Sequence, residues 1–183
     1  MIPKIDASLT QDELRHIFEA SHPTVPGVWT EEDWERHRKY AYSKYWERRL
    51  AEPTQLSDAE VSDWTRFLSL AFLSNVAWGI VGEAARRDLL RPDQSRLLGS
   101  LGSISEFARR QLGARECLRQ SSCVDQTLVD GLIDLKAFWA LHELLRKPLT
   151  LGELHVLRQA ISDRRVPRGQ RHELGAALSR RAK

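Results

Sequence analysis

FLSLAFLSNVAWGIVG, residues 67–82, carries no charged side chain over sixteen positions. A helix that crosses a membrane needs about 20 consecutive, predominantly apolar residues. This run is shorter, contains Ser69, Ser74 and Asn75, and is closed by Arg66 and Glu83. It therefore reads as a core helix. Ser57 and Glu60 form a capping-box pattern ahead of it. Val61, Trp64, Phe67, Leu68, Ala71, Phe72, Val76, Ile80 and Ala84 keep one wide face apolar. The expectation is one long helix from about Asp58 to Leu90, central to the fold and wrapped by helices over 92–112 and 123–147.

The flanking sequence is helical as well. Thr10 with Glu13 opens a first helix that ends before Pro23, and the two prolines of His22–Gly27 stiffen the turn that follows. Thr30 caps a second helix that runs to about Ala51. Glu31, Glu32, Asp33 and Glu35 stand in its first turns, where the helix dipole favours anions. Pro92 suits a first turn. The glycines of Gly99-Ser-Leu-Gly102-Ser103 read as close-packing positions, because the segment lacks the Lys-Ser/Thr of a phosphate loop. Residues 115–121 read as a polar connection or a short helix. Ser122 is expected to start the next helix, and Thr150 with Glu153 to cap another. A turn at Val166–Gly169 precedes a last helix from Gln170 to about Arg181. No strand alternation and no internal repeat appears. The reading is all-α: one domain over 1–183, six to seven helices, with 1–7 and 182–183 loose. A helix-turn-helix-like outline lies within 150–182.

Composition agrees with a soluble globular chain. Of 183 residues, 42% are hydrophobic and 29% charged, too apolar for a disordered polymer. Cys117 and Cys123 make no disulfide framework, and Met1–Thr10 has no apolar signal-peptide core. The expected compartment is the cytoplasm, with no membrane association.

Enzyme signatures fail one by one. Glu13-x-x-His16 and Glu19-x-x-His22 have di-iron spacing, yet both lie on one polar segment rather than on two facing helices. His142-Glu143 lacks the second histidine of a zinc-protease helix. Cys123, next to an N-cap, has no base at a recognisable spacing. The expectation is a non-catalytic protein with no metal and no cofactor.

The charge distribution points to a partner. Residues 1–63 hold 8 Lys/Arg against 13 Asp/Glu, and residues 64–183 hold 20 against 12. The basic excess peaks at the C-terminus. Arg164, Arg165, Arg168, Gln170, Arg171, Arg180 and Arg181 are the candidate nucleic-acid contacts, because arginines neutralise phosphates and release counterions. The expected function is a regulator or small subunit of a nucleoprotein complex, on DNA or RNA. The alternative is a protein–protein module (adaptor, inhibitor or immunity-type) or a homo-oligomer, anchored by the aromatic segment 29–50. Trp29, Trp34, Tyr42 and Trp46 would be its anchors. Against that, Tyr42, Trp46 and Leu50 recur at i, i+4 and read as a packing stripe.

Overall fold

The computed structural model describes residues 31–68 and 71–181, with the side chains of 31–38, 40, 41, 63, 65–67 and 71–73 outside that description. The first expected helix, the 22–27 turn, the Thr30 cap, both Glu-x-x-His pairs and the loose ends 1–7 and 182–183 fall outside it. Among the described residues there are nine α-helices and no strand. The all-α helical-bundle reading holds. No helix among them is long and apolar enough to cross a membrane. The chain divides into two compact units, one ending at Gln94 and one running from Ser95 to Lys183.

The first unit holds α1 (Glu31–Ala51), α2 (Asp58–Leu68) and α3 (Ala71–Arg86), with α1 and α2 both packed on α3. The expected single helix over 58–90 is two elements. A continuous helix of that span would set its ends about 48 Å apart at 1.5 Å per residue. Instead the Leu56 N–H donates to the Leu89 carbonyl at 2.9 Å, and the Arg91 guanidinium pairs with Asp58. The chain therefore doubles back, and α2 and α3 lie antiparallel. Periodicity alone could not announce this, because both halves present apolar faces to each other.

Aromatic side chains fill this unit. The Trp46 ring lies 4.8 Å from Trp64 and 5.2 Å, edge-on, from Tyr45. Beside them Arg49 is a buried charge. Its Nε donates to Glu60 Oε1 at 2.5 Å, and its terminal nitrogens reach Thr54 Oγ1 at 3.2 Å and the Gln55 carbonyl at 3.2 Å. Glu60 also accepts from the Ser57 N–H at 2.7 Å, so the expected capping box forms and ties α2 to α1. Burial pushes the Glu60 carboxyl up. Arg49 and the two Ser57 donors outweigh it and leave the group below its ordinary value.

From α4 (Pro92–Gly99) the chain enters the second unit, which holds α5 (Glu106–Gln120), α6 (Gln126–Asp134), α7 (Phe138–Leu144), α8 (Leu151–Ile161) and α9 (Arg168–Arg181). α5 packs on α6 and α7, α6 on α8, and α9 on both α7 and α8. Leu128, Leu132, Leu141, Leu157, Val166, Leu174 and Leu178 share one buried cluster.

Several expected boundaries shift here. The 92–112 helix breaks after Gly99, and Ser105 caps a new one by accepting from the Ala108 N–H at 3.2 Å. The segment from Arg115, read as a connection or a short helix, is the last part of α5 and includes a buried cation. Arg115 gives two 2.9 Å hydrogen bonds to Glu143 and lies 4.8 Å from the centre of the Trp139 ring. The 123–147 helix starts instead after Asp125, whose carboxylate accepts from Leu128 N–H at 2.8 Å, so Cys123 lies ahead of it. It then breaks at Lys136, which adopts φ 55°. Ala137 N–H reaches the Leu132 carbonyl and Lys136 N–H the Ile133 carbonyl, each at 2.9 Å. That pair of bonds is a Schellman motif. Asp88, φ 60°, ends the α3 segment in the same way, through Leu89 to Ala84 and Asp88 to Ala85. Glycine is the usual residue at such a position, and neither site has one.

Candidate nucleic-acid interface

The charge division follows the structural one. Residues 1–94 hold 12 Lys/Arg and 16 Asp/Glu, whereas residues 95–183 hold 16 and 9. The cations are also used differently. In the first unit Arg49, Arg86, Arg87 and Arg91 each pair with a carboxylate. In the second, Arg110, Arg115 and Arg165 do so too, but Arg158, Arg164, Arg168, Arg171, Arg180 and Arg181 have no carboxylate within 4.0 Å among the described residues.

α8 and α9 position this set. Thr150 and Glu153 cap α8 reciprocally, as expected from the sequence. Glu153 also accepts from the Val124 N–H at 2.9 Å, which ties the start of α8 to the segment before α6. The Thr150 N–H, the Val124 N–H and the Thr150 hydroxyl together hold the Glu153 carboxyl below its ordinary value. α8 buries Leu157 and Ala160, and α9 buries Leu174 and Leu178. The six residues 162–167 join them, with Val166 buried as a plug. This is longer than the three- or four-residue connection of a helix-turn-helix, so the outline resembles that motif only in its element order.

Of the sequence-predicted contacts, Arg164, Arg168, Arg180 and Arg181 are exposed, and Arg171 and Gln170 are half-buried. Arg168, Arg171 and His172 stand at i, i+3 and i+4, and so share one face of α9. Arg164 precedes them in the turn. Arg158 lies one turn from the end of α8 and joins the same end of the pair, whereas Arg180 and Arg181 lie at the far end of α9. Sequence reasoning missed Arg158, because nothing local marks it. It belongs to the cluster only because α8 ends where α9 begins.

Arg165 is committed elsewhere. It pairs with Asp130 at 2.5 Å, Asp134 at 2.7 Å and Asp163 at 2.7 Å, and its backbone N–H donates to Asp163 Oδ1 at 2.7 Å. Asp163, then Asp130 and Asp134, raise its pKa further above the ordinary arginine value. In return Arg165 holds Asp163 low, and Gln126 with Arg165 holds Asp130 low. Arg165 therefore brackets the turn to α6, and its charge is neutralised locally.

The start of α9 is chemically open. Its N-cap position is Pro167, whose carbonyl takes the Arg171 N–H at 2.9 Å but whose ring offers no side-chain acceptor. No acidic residue stands in the first turn. Helix N-termini present orphan N–H groups and the positive end of the dipole. Here cations are added at the end where the dipole already disfavours them. Such an arrangement attracts an external anion.

The aromatic anchors fare differently. Tyr42 and Trp46 are interior, 0% and 1% exposed, so they pack the first unit and present no surface to a partner. Trp29 lies outside the described residues, and Trp34 lies in α1 with its side chain outside them. Cys117 and Cys123 are both free thiols. Among the described residues no group of three His, Cys, Asp or Glu side chains is placed to hold a metal ion. The chain has no match among protein-family models, characterised proteins or solved structures.

Proposed function

We propose that the protein is a non-catalytic nucleic-acid-binding protein of a reducing compartment, acting as a regulator or as a small subunit of a nucleoprotein complex. Its second unit would hold the phosphate backbone through Arg158, Arg164, Arg168 and Arg171, gathered about the start of α9. Arg180 and Arg181 would add a second contact at the far end of that helix. One observation carries this reading: four arginines without a carboxylate partner among the described residues, one in the last turn of α8, one in the connection and two in the first turn of α9, flank a helix start that lacks both a capping side chain and an acid. Arginine suits phosphate because its planar fork gives two parallel hydrogen bonds. Backbone contacts fix register but read no sequence, so sequence preference should be weak.

The test is an anisotropy titration of labelled DNA and RNA of several sequences at low salt. The reading expects binding to both with little sequence preference. Absence of binding at low salt would refute it.

A further inference from the structure

We infer that the groove between α4 and α5 is a binding site for a small amphipathic anion, an apolar body carrying one carboxylate, sulfonate or phosphate. The site is separate from the arginine cluster and does not depend on the nucleic-acid reading. Both helices line it. Arg119 Nη1 donates to the buried Ser95 Oγ at 3.3 Å, which sets the α4 segment beside the end of α5. Ile104, next to the Ser105 cap, marks the other end of the groove.

Between them lies a cavity of about 400 Å³. Pockets that take small ligands run from about 300 to 1,000 Å³ and are mostly apolar, with a few placed polar groups. Ile104 and Leu112 supply the apolar floor, and Gly99 and Gly113 keep the walls low. Arg109, Leu112, Gly113 and Glu116 follow one another at i, i+3, i+4 and i+7, so one face of α5 lines the groove.

The polar groups distinguish its ends. Arg109 and Arg96 both line the groove, and neither has a carboxylate within 4.0 Å among the described residues. Glu116 accepts from Gln120 at 2.8 Å, near the end where Ser95 and Arg96 lie. Glu116 is the acid in the groove's lining, and its carboxylate disfavours an anion at that end. Arg109 stands about 10 Å away along α5, at 1.5 Å per residue, with no acid beside it in the groove. The anionic head therefore belongs at Arg109, and the apolar body over Ile104 and Leu112.

Two fluorescent probes test this on the full chain: anilinonaphthalene sulfonate, an apolar anion, and its uncharged parent phenylnaphthylamine. The expected result is one sulfonate site per chain. Arg109→Gln should weaken the sulfonate about tenfold, the effect of losing one charge-assisted hydrogen bond, and leave the neutral probe unchanged. Arg96→Gln should weaken the sulfonate by less. A Cβ at Gly99 meets no heavy atom within 4 Å, so Gly99→Phe should fold and displace both probes. Phe107, 50% exposed, is a competing apolar surface on α5 outside the groove lining, and Phe107→Ser should change neither. Sulfonate binding that ignores Arg109→Gln, or that is lost with Phe107→Ser and kept with Gly99→Phe, overturns the proposal.

Discussion

Replacing Glu60 by glutamine keeps the side-chain shape and removes one charge from a nearly dry pair. Arg49 is 8% exposed and Glu60 18%. Breaking a buried ion pair from one side costs about 3–5 kcal/mol, because the remaining charge is left uncompensated. Two features reduce that here. Arg49 keeps its bonds to Thr54 and Gln55, and Glu52 lies within 3.5 Å. We therefore expect Glu60→Gln to cost about 2–3 kcal/mol, just below that range. Arg49→Met with Glu60→Gln should cost less than the sum of the two single changes, because the double variant buries no orphan charge. Five of the six tryptophans lie in residues 1–94, so urea unfolding followed by tryptophan fluorescence reports mainly on this unit. The folded Glu60 carboxyl sits below its ordinary value, so the unfolded chain binds more protons in the window between the two pKa values. The stabilisation is thus present above the unfolded carboxyl pKa of about 4.3 and fades as pH falls through the folded one. The wild type and Glu60→Gln should converge in acid. An unchanged urea midpoint at neutral pH with an unchanged m-value, or strict additivity in the double variant, refutes the reasoning.

Other expectations follow from the same structure. Trp46→Ala should cost about 3–5 kcal/mol in urea unfolding, the range for emptying a buried aromatic site; a surface anchor would cost far less. Lys136→Gly should stabilise by roughly 0.5–1 kcal/mol, since glycine relieves the left-handed backbone at a cost only in unfolded-state entropy; a drop in thermal midpoint contradicts the Schellman assignment. Arg165→Met should lower the thermal midpoint at neutral pH. That difference should shrink as pH falls through the depressed carboxyl pKa values of Asp130 and Asp163, because their stabilisation exists only while they are ionised. A difference that persists after the carboxylates are protonated means that packing, not charge, is lost.

What could be read from the sequence was local. Ser57 with Glu60 and Thr150 with Glu153 carry their own hydrogen-bond logic within four residues, and both caps form where expected. The breaks that were missed follow from choices no window contains. Lys136 and Asp88 end their helices in a conformation usually reserved for glycine, so no glycine marks them. The reversal between α2 and α3 depends on which apolar face meets which. Arg115 looks like an exposed polar residue until Glu143 and Trp139, more than twenty residues on, supply its partners. The basic C-terminus was visible as composition. Its division was not, because Arg165 and Arg164 are neighbours in sequence, and only the fold brings Asp130 and Asp134 to one of them.

The most direct test of the central claim is the slope of log binding constant against log salt concentration. It compares the wild type with a variant carrying glutamine at 158, 164, 168 and 171, with circular dichroism confirming the fold. Each lost phosphate contact lowers the slope by about 0.7–0.9. The account predicts a slope about 3 units shallower for the variant, with weaker binding across all sequences tested. An unchanged slope and affinity would contradict it and remove the arginine cluster from the nucleic-acid interface.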